Sequence, residues 1–381
     1  MPRRTKWWLL PSALALIWIV PAVALAGAVA PPAASTAATA GAVFTMTNSA
    51  SGNQVWAYDV GTSGALVPAG HFPTHGLGTG ASLADQGALV LSANHEWLFV
   101  VNAGSDSVTV FWVNTTPSAS PILTFTDKVS SHGVMPVGLT VFGSWLYVLN
   151  AGNATVAGDI AGFSVSTTGT LSAIPGSSWG LSTNASTGPA QIAFNPSGTA
   201  LAVTEKATSL IDTYAVNGTG VAGAPTTTAS NGSTPYGFAF TPSGVAVVSD
   251  AGPGALSSYA VSSSGAVRLV SGSVLDNQTA PCWVVLSAGG RVAYTTNAHS
   301  DSISSYDVTR TGVLTLSASV AATTGTAPTD MAIGGASGQE LFVYDSGAGE
   351  IQEFSVQAHG TLAAAYGVWG LPATAEGMAA F

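Results

Sequence analysis

The stretch Asn195–Val216, NPSGTALAVTEKATSLIDTYAV, has the pattern of two β-hairpins that share a strand. A Pro-Ser-Gly turn precedes an alternating strand that ends at Glu205, and a second turn leads into a strand that ends in Tyr-Ala-Val. Alternation with a period of two between turn residues is typical of strands. The stretch therefore predicts antiparallel β-structure, and its recurrence along the chain decides the fold.

Two markers of this stretch recur through the chain. The first is a strand with an aromatic residue two positions before a closing valine, and these valines are Val60, Val113, Val165, Val216, Val261, Val308 and Val356. The second is a proline that leads an apolar strand, at Pro136, Pro189, Pro235, Pro281 and Pro328. The segment QGALVLS fills the same place in the second unit without a proline.

Each unit then holds four short strands, which we call A to D. Strand A is the proline-led strand, strand B ends in a polar residue, strand C carries the closing valine, and strand D follows a glycine-containing turn. The closing valines are 45 to 53 residues apart. Four strands per unit at a period of about 40–50 residues indicate the blades of a propeller.

The two ends of the repeat array complement each other. The array begins with strands B, C and D of one unit, and it ends with AEGMAAF, which has the pattern of strand A. We therefore predict an all-β, seven-bladed β-propeller over residues 42–381, with four antiparallel strands per blade. Three N-terminal strands and one C-terminal strand close the ring, which removes the open sheet edges.

The N-terminus predicts export. Residues 1–30 combine Arg3, Arg4 and Lys6 with an apolar stretch and small residues that end in ALAGAVA, which is typical of a secretory signal peptide. Residues 31–41 are rich in Ala, Pro and Thr and indicate a flexible linker. We expect a secreted, periplasmic or cell-surface protein without membrane contact after cleavage. An uncleaved membrane anchor is the alternative.

Composition narrows the range of partners and cofactors. Of the eight basic residues three lie in the leader, so five remain against 18 acidic ones, which disfavours nucleic acid and multiply phosphorylated ligands. The single cysteine, Cys282, excludes an internal disulfide. We find no sequence motif for a cofactor or a metal ion, although a ring of Asn and Asp side chains at a channel could hold Ca²⁺. We expect a monomer.

Polar residues end strand B in every unit, and the alignment places Asn48, Asn102, Asn150, Glu205, Asp250, Asn297 and Asp345 there. Asn and Asp open tight turns by bonding to nearby backbone groups. Glu205 departs from this pattern and is followed by Lys206, one of the few basic residues outside the leader. A functional role for Glu205 and a surface Glu–Lys pair both fit this observation.

Further candidates lie on the face where strands D connect to strands A. His75 and His132 precede strands A, His299 follows a strand B, and an unperturbed histidine pKa near 6.5 suits acid–base chemistry. Solvated loop histidines are the alternative. In strand A, Gln191 and Asp330 are placed to look into the channel, whose aligned positions hold no Lys or Arg.

The repeat units resemble the lactonase-type seven-bladed β-propellers, a family that includes bacterial propeller-type 6-phosphogluconolactonase and the fungal carboxymuconate-lactonising enzyme. GPAQIAFNPSGTALAVTEKATSLIDTYAV carries the resemblance, which extends from about residue 42 to residue 381. It implies lactone hydrolysis with an acidic residue at the end of strand B, here Glu205. Where the family commonly has Arg or His after the strand A proline, this chain has Ala190 and Gln191, so a phosphorylated lactone is not expected.

Two functions remain open on these residues. In the first, the protein hydrolyses a small, non-phosphorylated lactone at the channel mouth, with Glu205, His132 and His75 as catalytic residues. The substrate would then be bound by Lys206, Asn150, Gln191, Asp250, Asn297, His299 and Asp330. In the second, it is a non-catalytic extracytoplasmic propeller that binds a ligand, a glycan or a protein partner.

Overall fold

The computed structural model describes residues 39–116, 122–183, 186–335 and 338–381. The signal peptide predicted for residues 1–30, and the linker up to residue 38, lie outside the described residues. Within the described part the chain forms seven four-stranded antiparallel sheets. The one helical turn there, Ala358–Gly360, is a 3₁₀ turn, and no described helix is long and apolar enough to cross a bilayer.

The strands follow the predicted repeat. In chain order they are β1 (Thr39–Met46), β2 (Gln54–Gly61), β3 (Leu66–Pro73), β4 (Leu89–Leu91), β5 (Trp97–Asn102), β6 (Ser107–Val113), β7 (Leu123–Ser130), β8 (Pro136–Phe142), β9 (Trp145–Asn150), β10 (Asp159–Val165), β11 (Leu171–Gly180), β12 (Pro189–Phe194), β13 (Ala200–Glu205), β14 (Leu210–Val216), β15 (Ala222–Ala229), β16 (Pro235–Phe240), β17 (Val245–Asp250), β18 (Ala255–Val261), β19 (Val267–Leu275), β20 (Pro281–Leu286), β21 (Val292–Asn297), β22 (Ser302–Val308), β23 (Leu314–Thr323), β24 (Pro328–Gly334), β25 (Glu340–Asp345), β26 (Glu350–Val356), β27 (Leu362–Trp369) and β28 (Glu376–Ala380).

The ring closes as the sequence predicted. Blade 1 consists of β28, β1, β2 and β3, and blades 2 to 7 follow in groups of four from β4–β7 to β24–β27. In blade 1, Phe44 pairs with Ala379, and Ala42 and Phe381 exchange two backbone hydrogen bonds of 3.1 Å. Strand β1 begins at Thr39, inside the segment predicted as linker. The seven-bladed fold and its closure by one C-terminal strand are thus confirmed.

The repeat markers are core residues. All seven strand C aromatics are buried, from Tyr58 in blade 1 to Phe354 in blade 7. The closing valine that follows is also buried in six blades, and Val356 is half-buried. An aromatic side chain removes a large apolar area from water, so its recurrence at one strand position holds neighbouring blades together. This packing explains why strand C was the clearest signal in the sequence.

Loops before strand A and turns after strand B meet on one face, which we call the upper face. In five blades the residue before the strand A proline has a positive φ, and these residues are Met135, Gly188, Thr234, Ala280 and Ala327. Its carbonyl accepts the N–H of the first residue after strand B, as in the 3.0 Å bond from Lys206 to Gly188. The predicted meeting of these two connections on one face is confirmed.

Strand A of blade 2 departs from the prediction. QGALVLS was expected to form this strand, but only Leu89–Leu91 do so. Residues 83–88, which we call the crossing segment, leave the sheet and bridge the central channel. The Gln86 N–H donates to Ala190 of blade 4 at 2.8 Å, and the Gly87 carbonyl accepts from Leu139 of blade 3 at 2.9 Å.

The crossing segment is held by the inner edges of the strands A. The side-chain amide of Gln86 donates to the Val284 carbonyl at 2.8 Å and accepts the Val284 N–H at 3.0 Å, on blade 6. Trp283 donates to the Asp85 carbonyl at 2.8 Å. Edge N–H and C=O groups that face a buried channel need partners, because leaving them unpaired is costly. The segment supplies these partners and closes the channel below the upper face.

Candidate active site in the central channel

Glu205 is fully buried and anchors a loop. Its Oε1 accepts the Ser182 N–H at 2.9 Å, and its Oε2 accepts the hydroxyls of Ser182 and, at 2.5 Å, of Thr208. Ser182 belongs to the loop that enters blade 4, and the counterparts Asn102, Asn150 and Asp345 likewise bond to the loops that enter their own blades. Burial raises the pKa of the adjacent Asp212 to about 7, with a contribution from the charge of Glu205.

The other strand B ends are also buried, and three of them make hydrogen bonds within their own blades. Asn150 donates to Asp159 at 2.7 Å, Asp250 accepts the Ser257 hydroxyl at 2.5 Å, and Asn297 donates to Ser304 at 2.8 Å. All three bonds join strand B to strand C of the same blade. Asn48, the blade 1 counterpart, lies two residues beyond the end of β1.

The three candidate histidines are exposed side chains on the upper face. The His75 ring meets the ring of Phe125 edge-on at 4.7 Å, and the His132 ring meets that of Phe163 at 5.3 Å. These phenylalanines lie on outer strands D and C, away from the channel. Among the described contacts of Glu205 none is to a histidine. The structure therefore does not bring the predicted catalytic residues together.

Lys206, in contrast, which the sequence suggested as a binding residue, reaches the channel mouth. Its Nζ donates to the carbonyl of Ala84 and, at 3.3 Å, to that of Pro189, and it lies 4.7 Å from the centre of the Tyr236 ring. Lys206 lies outside the aligned strand A positions, which hold no Lys or Arg, because it follows strand B and bends inward to the crossing segment. Burial lowers the pKa of Lys206, and nearby acidic groups, Asp85 first among them, oppose this.

Three carboxyl groups lie in the channel beside Lys206, and we call Asp85, Asp330 and Glu376 the channel carboxyl cluster. All three side chains are buried, with exposures of 1%, 2% and 4%. Glu376 accepts the Leu83 N–H at 2.9 Å. Within the described residues, both carboxyl oxygens of Asp85 lack a hydrogen-bond partner. The same is true of the Oδ2 atom of Asp330. Buried polar groups without partners are rare in proteins, and a catalytic role and a bound water molecule are two of their common explanations.

The cluster holds its protons unusually tightly. Burial raises the pKa of Glu376 to about 7, although the N–H of Leu83 and the charge of Lys206 act to lower it. Burial raises the pKa of Asp85 well above its usual range, and the charges of Glu376 and Asp330 add to this. Burial also raises the pKa of Asp330, and the charge of Glu376 raises it further. The N–H groups of Met331 and Met378 act in the opposite direction and lower this pKa. Carboxyl groups with such pKa values are common in sites of acid–base catalysis.

The backbone at Asp330 is strained. Asp330 has a φ of +59° and sits at an irregularity in the pairing of β24 with β25, between Thr329 and Met331. A non-glycine residue in this region costs on the order of 1–3 kcal/mol. The equivalent position in blade 1 is Gly377, whose φ is +70° and which carries no such cost. Asp330 thus stands where a glycine would fit better.

A cavity of about 320 Å³ lies below the crossing segment. The polar side chains that line it are those of Gln86, Thr140, Gln191 and Asp330. The Gln191 Oε1 accepts the Phe238 N–H at 2.6 Å, and its NH₂ group makes no hydrogen bond among the described residues. The structure therefore brings two sequence-predicted binding residues, Gln191 and Asp330, to one cavity. The unpaired NH₂ group of Gln191 is a hydrogen-bond donor there, and the unpaired Oδ2 of Asp330 is an acceptor.

Two other observations delimit the site. A larger surface groove of about 680 Å³ runs along blade 6 beside Arg291, Asp307 and His359, but none of these residues has a buried polar atom without a partner. In the described part of the chain no three His, Cys, Asp or Glu side chains are arranged to hold a metal ion. Cys282 is buried near the cluster, and burial raises the pKa of its thiol to about 12.

Sequence reasoning missed Asp85 and Glu376 as site residues. Glu376 stood in the channel-facing position of strand A, and Asp85 directly precedes the QGALVLS segment. Acidic side chains at such positions of an apolar strand pattern were the available signal. The crossing segment, which brings Asp85 inward, differs in the sequence from a proline-led strand A only by its missing proline.

The comparisons with known proteins agree with this fold. Residues 245–369 match the family model described as "Lactonase, 7-bladed beta-propeller". A comparison with curated proteins finds no match. The periplasmic gluconolactonase PpgL of Pseudomonas aeruginosa is 16% identical, with 88% of this chain and 98% of that chain covered and a TM-score of 0.64.

A second solved structure is a Bacteroides fragilis NCTC 9343 protein provisionally assigned as a 6-phosphogluconolactonase. It is 17% identical, with 90% of this chain and 98% of that chain covered and a TM-score of 0.66. At these identities the structural likeness shows a common fold. The chain resembles the lactonase-type seven-bladed β-propellers and carries the pattern of that family over residues 245–369.

Proposed function

We propose that the protein hydrolyses a small, non-phosphorylated lactone in its central channel. The observation that carries the proposal is the buried, unpaired carboxyl oxygen of Asp330 on the wall of a cavity that also presents the Gln191 amide. The family match and the lactonase names of structurally similar proteins support the reaction class. No arginine that could bind a phosphate group is among the residues that line this cavity.

In the proposed reaction, the Asp330 carboxylate takes a proton from a water molecule while the water oxygen bonds to the lactone carbonyl carbon. The carbonyl oxygen receives the electron pair of the broken π-bond, and the NH₂ group of Gln191 donates to it. Collapse of this intermediate breaks the ring C–O bond. The proton held by Asp330 then passes to the departing alkoxide, which yields a hydroxy acid.

The raised pKa of Asp330 fits this role. A carboxylate with a raised pKa is a stronger base than an ordinary one, and a base is most effective when its pKa lies near the working pH. Because the protonated form cannot accept a proton, the rate should rise with pH above the usual carboxyl range. The charge of Glu376 adds to the raised pKa of Asp330, and the charges of Asp330 and Lys206 act in turn on Asp85.

The test is hydrolysis of a lactone panel by the full chain and two variants. Asp330→Asn should lower kcat/KM by about 100-fold or more, because it removes the base. Asp345→Asn is the matched control, since Asp345 is a buried carboxyl of the same blade, with a pKa raised to about 7, at a position where other blades have Asn. It should keep the wild-type rate within about threefold.

Two results would overturn the proposal. Full activity in folded Asp330→Asn would remove Asp330 from the mechanism, and Asn tolerates a positive φ, so this variant should fold. Binding of lactones without hydrolysis by the wild type would favour the non-catalytic binding function that the sequence also allows.

A further inference from the structure

We infer that the upper face binds a primary alkylammonium group in a pocket between the outer strands of blades 6 and 7, away from the central channel. The pocket has a volume of about 230 Å³ and is lined by Thr323 of blade 6 and by residues of β26 and β27 in blade 7. Two of these residues, Glu350 and Trp369, carry the inference. Because the pocket lies outside the channel, the inference does not depend on the proposed function.

Glu350 is a buried carboxylate without a hydrogen-bond partner. Its side chain is 8% exposed, and its carboxyl oxygens accept no hydrogen bond from the described residues. It is aimed into the pocket, because its Oε1 would lie 2.5 Å from a Cβ at Gly367 and both residues line the pocket. A buried Glu is rare unless it is paired. The side chain therefore lacks a partner that offsets its burial.

The negative charge of Glu350 acts on a second carboxyl. Burial raises the pKa of Asp345 to about 7, and the charge of Glu350 raises it further, while a hydrogen bond from the Gly325 N–H acts to lower it. Among the described residues that line the pocket there is no Lys, Arg or His. The pocket therefore lacks a positive charge, which a cationic ligand would supply.

The chemistry of the pocket favours an organic cation over a metal ion. Ca²⁺ takes about six to eight oxygen ligands. Beside Glu350 the pocket offers the side chain of Gln352, whose Oε1 already accepts the Gly325 N–H at 3.2 Å. Glu353 also borders the pocket, but its Oε1 lies where a Cβ at Gly64 of blade 1 would be, 2.2 Å from that position. Glu350 is thus the one carboxylate aimed into this pocket among the described residues.

Trp369 places an aromatic ring beside this carboxylate. It pairs directly with Glu350 across β26 and β27, so the two side chains lie on the same face of the sheet. At 69% it is the most exposed large apolar side chain of the described part. The face of a Trp ring attracts a cation. An ammonium group can therefore donate its N–H groups to Glu350 while its alkyl chain lies against the indole ring.

The experiment measures Kd of the full chain for n-butylamine and for its uncharged counterpart 1-butanol by ligand-observed NMR. We expect the amine to bind at least about tenfold more tightly, because a hydroxyl does not offset the charge of Glu350. Glu350→Gln should weaken amine binding by about tenfold or more, and Trp369→Ala by about two- to fivefold. The matched controls, Glu340→Gln and Trp112→Ala, should stay within about twofold.

The controls share the features of the residues they match, since Glu340 has a buried oxygen without a partner in the same blade and Trp112 is an exposed tryptophan. Neither lines the pocket. Glu350→Gln removes a buried charge without a partner, so it should fold with a Tm not below that of the wild type.

Three results would overturn the inference. These are equal affinity of Glu350→Gln and the wild type for butylamine, binding of 1-butanol or methyl glucoside as tight as that of butylamine, and no binding of any amine. Nα-acetyl-lysine amide, which carries the same group as a protein side chain does, distinguishes the source of the ligand. Its binding at least as tightly as butylamine would support the inference with a lysine of a partner protein as ligand. Weaker binding than butylamine would support it with a free amine.

Discussion

Glu205 shows how a residue that is exceptional in the sequence can be structural. Its carboxylate accepts three hydrogen bonds, two of them from Ser182 in the loop that enters blade 4. Removal of the side chain leaves the N–H of that loop without its partner. Glu205→Ala should therefore lower the free energy of unfolding by about 2–3 kcal/mol, measured by urea denaturation.

The same variant series tests the catalytic role that the sequence suggested for Glu205. Glu205→Gln retains an acceptor for the loop, so we expect a smaller loss of stability and a lactone kcat/KM within about threefold of the wild type. Glu96→Ala, at an exposed position, should change the free energy of unfolding by less than about 0.5 kcal/mol. A loss of turnover in Glu205→Gln at unchanged stability would restore Glu205 as the catalytic base.

For Asp330 we predict the opposite effect of a substitution on the free energy of unfolding, because this residue combines a strained backbone with a buried carboxyl. Asp330→Gly should raise the free energy of unfolding by about 1 kcal/mol, since glycine adopts this φ freely, and should abolish hydrolysis. Ala332→Gly in the same strand is the matched control. Without a positive φ to relieve, it should lower stability by about 1 kcal/mol. Equal effects of the two substitutions in urea denaturation would show that Asp330 carries no strain.

At the scale of single elements, the crossing segment is the feature that turns an open ring into a channel with a closed end. The Gln86 amide satisfies both backbone groups of Val284 on blade 6. Gln86→Leu keeps most of the volume but leaves these groups unpaired, so the free energy of unfolding should fall by about 2–4 kcal/mol. Amide hydrogen exchange at Val284 should accelerate in parallel.

A control for this prediction is Gln54→Leu on β2, a half-buried glutamine outside the channel. It should leave both the stability and the exchange at Val284 close to wild type. If Gln86→Leu behaved in the same way, the crossing segment would not be held by its contacts to blade 6.

The crossing segment also marks where prediction from the sequence ends. Strands B and C were predictable because alternation, closing valines and turn residues are local signals, repeated in every blade. Apart from its missing proline, QGALVLS has the same local pattern as a strand A, yet the partner of Gln86 is Val284, 198 residues further along the chain. Hydrogen bonds over such a separation leave no trace in the local pattern, so this departure could not be foreseen.

At the scale of the whole molecule, the candidate site could likewise be predicted from the sequence only in part. Asp330 and Gln191 were identified because strand A has a register that can be counted. The cluster became visible only when ring closure brought Glu376 beside Leu83, 293 residues earlier in the chain. Alignment placed six of the seven strand B ends correctly and put Asn48 two residues beyond the end of β1. It could not show that the side chains of Glu205 and Asn150 bond to their own blade and its entry loop, away from the channel.

The buried carboxyl groups of the whole molecule also predict that its stability depends on pH. Burial raises the pKa of ten of the 18 carboxyl side chains, and these are Asp59, Asp85, Asp159, Asp212, Asp250, Asp276, Asp330, Asp345, Glu353 and Glu376. A carboxyl whose pKa is higher in the folded than in the unfolded state favours folding only while it stays protonated. Stability is therefore fully present below about pH 4, where unfolded carboxyls titrate, and is lost as pH rises through the folded pKa values.

Thermal unfolding between pH 4 and pH 8 tests this sign. The pKa values of Asp250, at about 6, and of Asp212, Asp345, Glu353 and Glu376, at about 7, place most of the loss between about pH 4 and pH 7. We expect Tm to fall by several degrees over this range. The double variant Asp250→Asn, Asp345→Asn should show a weaker dependence, because two of the titrating groups are replaced by the residue that blades 2, 3 and 6 carry at the same position. A Tm that is flat or rises between pH 5 and pH 8 would mean that these carboxyls are ionised in the folded protein at little cost. Their burial would then have to be offset by water or ions inside the blades.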